Sequence, residues 1–127
     1  MQSEYRDLFT AFSADETVNM KNTEQVKKYI KEIDYKYNNT RYIFNEPYQL
    51  MIEKKKGKDI PFWYCIEDEE LGIDIMEESV SAAEESFHSE IDFLWRCYAV
   101  ESDEKLAHDA VLLKIKVNKL IREAIKL

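Results

Sequence analysis

Acidic side chains in the middle of the chain come closest to a pattern that could do chemistry. Four acids follow one another at residues 67–70, and Asp74 comes four positions later. Carboxylates that converge from separate elements hold Mg²⁺ for phosphodiester hydrolysis, as in two-metal nucleases. Consecutive residues on a turn instead point their side chains apart, and such a run is usually a solvated tip. We therefore predict no catalytic residue, no metal site and no cofactor.

We interpret the acids of this region as a surface that binds a partner. The predicted third strand turns Ile73 and Ile75 toward the core and Asp74 away from it. The helix that follows turns most of its glutamates toward water in the same way. The predicted partner-binding surface comprises Glu67, Asp68, Glu69, Glu70, Asp74, Glu77, Glu78, Glu84 and Glu85.

The charge of the chain is unevenly distributed. The net charge is −8, but residues 60–104 carry fourteen acids against one Arg, whereas residues 105–127 carry six Lys and Arg against two acids. The acidic block repels nucleic-acid phosphates, so we expect no direct binding to DNA or RNA. It attracts basic surfaces, and we expect a basic protein as the partner.

Histidine and cysteine offer no stronger candidate for chemistry. His88 precedes Asp92 by about one helical turn, which suits an exposed interaction between the two side chains rather than a catalytic pair. Cys65 and Cys97 are too few and too far apart for a disulfide framework or a zinc site. We predict that both are reduced thiols.

The composition describes a soluble chain with one core. It is 45% hydrophobic with only two Gly and two Pro, which favours long regular elements over a loop-rich sandwich. No apolar run approaches the roughly 18 residues that a membrane helix needs, and the first residues, M-Q-S-E-Y-R-D, lack a signal-peptide pattern. We expect a cytoplasmic protein that does not associate with membranes.

Helical spacing of apolar residues predicts two helices early in the chain. The first covers residues 3–13, with a stripe of Tyr5, Leu8, Phe9 and Phe12. The second begins at Asn22, which with Gln25 resembles a capping box, and ends at the turn-forming residues 38–40. Its stripe consists of Val26, Tyr29, Ile30, Ile33 and Tyr37.

The apolar period then changes to two. Alternation over residues 48–53, 60–66 and 71–75 predicts three strands. The intervening charged runs are short enough for turns, so the strands should form an antiparallel meander. Residues 42–44 are a candidate for a short fourth strand.

Helical spacing returns after the third strand. It predicts one long helix from about Ser79 to Ala99, with an N-cap at Ser79 or at Ser81, where Glu84 would close a capping box. A second stripe predicts a C-terminal helix between Leu106 and Ala124.

The predicted fold class is therefore α+β. It consists of two N-terminal helices, a three-stranded or four-stranded antiparallel meander packed by a long helix, and a C-terminal helix. We assign a single domain to residues 1–127, with a helical preface at 1–40, a core at 41–99 and the C-terminal helix within 100–127.

The two faces of the predicted sheet differ in polarity. The apolar face should lie under the long helix, with Phe87, Ile91, Leu94 and Trp95 buried against Phe62, Tyr64, Ile73 and Ile75. The opposite face has enough apolar area to need a cover. Residues 1–40 are the favoured cover and a partner protein is the alternative. This face comprises Gln49, Met51, Glu53, Trp63, Cys65, Asp74 and Met76.

The segment from about Tyr48 to Ala99 resembles the HicB-like antitoxin domain, a degenerate RNase H-like β-β-β-α unit. A strand pair is followed by L-G-I-D-I-M-E-E-S-V-S-A-A-E-E-S-F, which is similar to the family's third strand, Ser/Thr cap and Ala/Glu-rich helix. The later run I-D-F-L-W-R-C-Y-A, then L-A-H-D-A and a long helix, resembles a bacterial subgroup with a helical tail.

The resemblance implies a non-enzymatic, protein-binding and usually oligomeric module, often one that masks a small RNA-cleaving toxin. A homo-oligomer is therefore a further expectation. Only about 27 residues follow the long helix, too few for the DNA-binding module that family members often append, so DNA-binding autoregulation is not implied.

Two other functions fit the same features. An acidic phage-type inhibitor could imitate nucleic-acid phosphates and occupy a basic cleft, which would require its acids in an exposed stripe. A metal-dependent nuclease relic would require Asp74 to converge with other acids across strands.

Overall fold

The structure, a computed structural model, describes residues 25–127. The helix predicted over residues 3–13 lies outside the described residues, as does the predicted start of the second helix at Asn22. The described chain forms a five-stranded antiparallel sheet with two α-helices. The elements are β1 (Gln25–Tyr35), β2 (Thr40–Lys56), β3 (Phe62–Asp68), β4 (Ile73–Glu77), α1 (Val80–Leu94), a π-helical turn (Trp95–Ala99), a 3₁₀ turn (Asp103–Lys105), α2 (His108–Leu120) and β5 (Ile121–Lys126).

The predicted fold class is wrong at both ends of the described chain, and the first correction concerns β1. Residues expected in a second helix pair antiparallel with β2 instead. A bulge between Ile30 and Glu32 shifts the side-chain alternation of this strand. Val26 and Ile33 are therefore both buried although an odd number of positions separates them. The spacing of residues 26, 30 and 33 consequently imitates a helical stripe.

The second correction concerns the end of the chain, where a strand replaces about the last turn of the predicted helix. β5 follows α2 without a loop and pairs with residues 40–44 of β2. Asn45 donates from Nδ2 to the carbonyl oxygen of Lys119 at 2.8 Å and so satisfies one of the free carbonyls at the helix end. Ile121 at the junction is buried. The prediction up to Ala124 fails because the edge of β2 offers this backbone hydrogen-bond partners.

Strand β2 organises the sheet. The order is β1-β2-β3-β4, with β5 also paired to β2. β2 has 17 residues, and β1 runs along one of its edges. On the other edge β5 pairs with residues 40–44 and β3 pairs with residues 53–56. Residues 45–52 of β2 lie between these two partners.

β3, β4 and the start of α1 lie close to their predicted positions, whereas residues 42–44 belong to β2 instead of forming a separate strand, and α1 ends at Leu94 and continues to Ala99 as a π-helical turn. Of the two N-cap candidates Ser79 is confirmed, since its Oγ accepts a hydrogen bond from the backbone N–H of Ala82 at 3.0 Å. Phe87, Ile91 and Leu94 of this helix are buried in the core cluster. The apolar stripe of α1 therefore packs on the sheet as its spacing predicts.

One predicted core residue is wrong, and the described part of the predicted cover does not lie where it was expected. Phe62 is exposed, with the ammonium of Lys54 4.0 Å from its ring centre. β1 lies beside β2 in the sheet and does not cover the face opposite α1; residues 1–24 lie outside the described residues. Cys65, on that opposite face, is nevertheless only 3% exposed.

A buried carboxylate joins α1 to the turn between β1 and β2. Asp92 is 3% exposed. Its Oδ1 accepts hydrogen bonds from the Tyr42 hydroxyl at 2.5 Å and from Asn38 Nδ2 at 2.6 Å, and its Oδ2 accepts one from Arg96 Nε at 2.8 Å. Burial by itself would raise the pKa of Asp92, but these three donors outweigh it and hold the pKa below the ordinary value.

The same turn also holds the end of the chain. Lys126 Nζ donates to the carbonyl oxygen of Asn38 at 2.9 Å, and the backbone N–H of Leu127 donates to the carbonyl oxygen of Asn39 at 2.7 Å. Asn39 has a positive φ of 51°, a conformation that asparagine tolerates better than most residues. None of the helices within residues 25–127 is long and apolar enough to cross a membrane.

Replacing Leu94 with Asp should unfold the described domain. An unpaired carboxylate in the core costs roughly 3 kcal/mol or more, a large part of the stability of a small domain. Phe93→Asp is the matched control, because the neighbouring Phe93 is 44% exposed and Leu94 is 3% exposed. Thermal melts of both variants check the placement of α1, and a Leu94→Asp protein that melts with the parent would contradict it.

Replacing Asp92 with Asn should destabilise the fold by about 1–3 kcal/mol at neutral pH. A folded-state pKa below the unfolded value of about 3.9 contributes stability above that pH, and this contribution is lost as the pH falls through the folded pKa. Urea denaturation from neutral to acidic pH should therefore show the parent and the variant converging below about pH 4. Asp109→Asn, at an exposed position, controls for the lost charge, and a pH-independent difference for Asp92→Asn would refute the role assigned to this carboxylate.

Candidate functional site

The turn between β3 and β4 is held by one of its own acids. Asp68 points inward, where its Oδ2 accepts a hydrogen bond from the Tyr48 hydroxyl at 2.7 Å and its Oδ1 accepts one from the backbone N–H of Leu71 at 3.1 Å. Gly72 completes the turn with a φ of +70°, which glycine adopts without strain. Asp68 therefore stabilises the turn, a structural role that the prediction of a uniform acidic surface missed.

The other acids of this region lie on the surface. Glu67, Glu69, Glu70 and Asp74 are exposed, and we call these four residues the turn acids. Glu67 and Asp74 are direct partners across β3 and β4, so two like charges face each other on the sheet surface opposite α1. Lys55 is the partner of Glu67, with 3.4 Å between Nζ and Oε2. No ion pair within residues 25–127 involves the other three.

The remaining predicted surface acids lie elsewhere and are mostly engaged. Glu77, at the far end of β4 from the turn, accepts a hydrogen bond from the Ser86 hydroxyl at 2.6 Å, and Glu78 beside it is exposed. Glu84 is buried and forms an ion pair with Lys28 of β1. Glu85 pairs with Lys36 at 3.3 Å. The structure thus separates the predicted surface into turn acids and acids of the α1 region.

A cleft lies between the β3–β4 turn and α2. Its volume is about 490 Å³, within the range of small-molecule sites. One wall carries acids and the other carries the exposed lysines of α2, while the floor is formed by a tyrosine ring and two leucines. The lining residues are Tyr48, Asp68, Glu70, Leu71, Lys116, Lys119 and Leu120.

The tyrosine of the cleft is rigidly placed. The Tyr48 ring stacks on Phe87 of α1 with 5.2 Å between ring centres, and meets Phe44 edge to face at 5.8 Å. Burial, together with the hydrogen bond to Asp68, raises the pKa of the Tyr48 hydroxyl. The phenol therefore stays neutral and donates to Asp68 at physiological pH.

The sequence indicates a basic C-terminal segment but does not predict that this segment lies beside the acids. The signal available was the change of charge at residue 105. The juxtaposition itself depends on β5, which returns α2 to the edge of β2 next to the β3–β4 turn.

The histidine and cysteine candidates are not assembled into a site. The predicted exposed pair of His88 and Asp92 is wrong, because Asp92 is buried and its described hydrogen bonds run to other residues. Burial lowers the pKa of His88 to about 4, so this imidazole is neutral at physiological pH. Burial also raises the pKa of the Cys65 thiol, which disfavours the reactive thiolate. Both cysteines are free thiols.

The residues of the described chain do not form a group of three or more His, Cys, Asp or Glu side chains that could hold a metal ion. No protein-family model, curated protein or solved structure matches this chain. The fold and the cleft define an α+β protein with a surface cleft that is lined by both acidic and basic residues. The HicB-like resemblance rests on the sequence motifs alone.

Replacing Asp68 with Asn should destabilise the fold by about 1–2 kcal/mol, because an amide cannot accept hydrogen bonds on both of its ends. In a double-mutant cycle, the effects of Asp68→Asn and Tyr48→Phe on the free energy of unfolding should not be additive, because the two side chains share one hydrogen bond. The exposed neighbour supplies the control, since Glu69→Gln should alter stability by about 0.5 kcal/mol or less. Equal effects of Asp68→Asn and Glu69→Gln in chemical denaturation would show that Asp68 is an ordinary surface acid.

Proposed function

We propose that this chain is a non-enzymatic protein-interaction module of the HicB-like type, an antitoxin that masks a basic partner protein. The observation that carries the proposal is the cluster of turn acids, which are exposed and of which only Glu67 has an ion-pair partner within the described chain. Such a cluster creates a negative potential that speeds encounter with a basic surface.

The turn acids are suited to a partner because the turn beside them is anchored by hydrogen bonds. Asp68 anchors the turn through Tyr48, whose ring is stacked on α1. The exposed carboxylates are thus presented on a pre-organised support, which reduces the ordering cost of binding. Three of the four have no ion-pair partner within the described chain, so a partner's Lys or Arg can gain attraction there without first breaking an internal ion pair.

The order of the central elements also supports the HicB-like type. Three consecutive antiparallel strands, β2, β3 and β4, lead directly into α1, which is the β-β-β-α order that the motif resemblance implies. The additional strands β1 and β5 extend this unit on β2. Two free thiols accord with a cytoplasmic protein, where glutathione keeps cysteines reduced.

The alternative of an acidic inhibitor that imitates nucleic acid is less well supported. A mimic needs a continuous stripe of exposed acids, whereas here Glu84 and Glu85 are paired with lysines and lie apart from the turn acids. The nuclease alternative requires carboxylates that converge. Glu67 and Asp74 are neighbours, but Asp68 points into the turn and is engaged by two donors.

Neutralising the turn acids should weaken capture of the partner. The variant Glu67→Gln, Glu69→Gln, Glu70→Gln, Asp74→Asn keeps Asp68 and thus the turn. Immobilised parent protein should retain a basic protein from an extract of the native host, and mass spectrometry identifies that protein. The variant should retain at most about one tenth as much of it. Added salt should weaken the parent's capture, because exposed charges are screened.

A matched control changes the net charge by the same amount at other exposed positions, with Asp59→Asn, Glu104→Gln, Asp109→Asn and Glu123→Gln. This control should capture the partner as the parent does. The proposal fails if both variants lose capture equally, which indicates a net-charge effect, or if the turn variant binds like the parent.

A further inference from the structure

The cleft between the β3–β4 turn and α2 brings opposite charges to opposite walls. Asp68 and Glu70 line the wall formed by the turn, and Lys116 and Lys119 line the wall formed by α2. No ion pair within the described chain joins either lysine to either acid, so the two charged walls stay separated across the cleft. The field between them points from the lysines to the acids and orients any ligand that carries both charges.

The floor between the walls is apolar. It consists of the Tyr48 ring and the side chains of Leu71 and Leu120. Leu71 is buried, and Tyr48 is fixed by its hydrogen bond to Asp68 and by its stacking on Phe87. An aliphatic chain that lies along this floor would remove apolar surface from water on both sides.

The walls are pre-organised to different degrees. Asp68 is held by two donors, so its carboxylate has a defined orientation at the edge of the cleft. Lys116 and Lys119 are three positions apart in α2 and therefore project on the same side of the helix. The end of α2 is itself fixed by the bond from Asn45 to the Lys119 carbonyl.

We propose that this cleft binds a ligand in which an ammonium group and a carboxylate are joined by a short aliphatic spacer. The ammonium contacts Asp68 and Glu70, the carboxylate contacts Lys116 and Lys119, and the spacer lies over Tyr48, Leu71 and Leu120. Two sources supply this chemistry: a free ω-amino acid, or the C-terminal lysine of a peptide, whose side-chain ammonium and terminal carboxylate have the same relation.

This site goes beyond the proposed capture of a basic protein, because it requires the lysines of α2 as well as acids. The two proposals are therefore separable by variants. The double variant Lys116→Gln, Lys119→Gln should weaken binding of a ligand with both charges by about tenfold and leave capture of a basic protein intact.

The direct test is a titration of ¹⁵N-labelled full-length chain with 6-aminohexanoate, followed by amide chemical shifts. We expect saturable shifts that concentrate on residues 68–72 and 116–120. Hexanoate and hexylamine, which carry one charge each, should bind about tenfold more weakly or not at all. Within the series from glycine through 4-aminobutanoate to 6-aminohexanoate and 8-aminooctanoate, affinity should pass through a maximum at the spacer length that fits the cleft.

Variants locate the binding groups. Glu70→Gln and the double variant Lys116→Gln, Lys119→Gln should each weaken 6-aminohexanoate binding by about tenfold. Glu104→Gln and Lys105→Gln, at exposed positions of the 3₁₀ turn, are the matched controls and should bind like the parent. Circular dichroism confirms that each variant is folded before its affinity is interpreted.

Peptides separate the two sources. An acetylated peptide that ends in a free lysine carboxylate should bind more tightly than 6-aminohexanoate if the natural ligand is a protein tail, and its C-terminal amide should not bind. A peptide weaker than 6-aminohexanoate assigns the site to a free ω-amino acid. The proposal is overturned if 6-aminohexanoate causes no saturable shift, if the one-charge compounds bind equally well, or if the shifts lie away from the cleft.

Discussion

A carboxylate excluded from water must find donors or lose its charge, and Asp92 finds three of them from three different parts of the chain. Tyr42 belongs to β2, Asn38 to the β1–β2 turn, and Arg96 to the π-helical turn that follows α1. Because these three donors together offset the desolvation cost, the carboxylate ties the end of α1 to β2 and to the β1–β2 turn. The turn that it holds also anchors β5 through Asn38 and Asn39.

The position of β5 in turn determines the surface. With β5 paired to the first residues of β2, α2 must end beside the stretch of β2 that lies between β5 and β3. The β3–β4 turn reaches the same stretch from the other side, and Tyr48 of β2 bridges to it through Asp68. A chain whose acidic and basic residues lie in separate segments thus brings both charges to one cleft, while Glu67, Glu69 and Asp74 stay exposed outside its lining.

The central part of this fold could be predicted because its signals are local. Alternation places β3 and β4 to within a few residues, and the Ser79 cap with the stripe of Phe87, Ile91 and Leu94 places α1. Prediction failed where a long-range pairing overrides the local period. The bulge in β1 turns a strand's burial pattern into apparent helical spacing, and β5 exists as a strand because the edge of β2 supplies its hydrogen bonds.

The sequence by itself determined which residues are apolar, where α1 begins, and that acids crowd residues 67–70 beside a strand. Only the tertiary structure decided what each acid does. Asp68 anchors a turn, Asp92 is buried among three donors, Glu84 pairs with Lys28, and the turn acids face water. The physical reason is that a carboxylate has the same charge wherever it stands in the chain, whereas its role is set by the donors and cations that distant strands bring within a few ångströms.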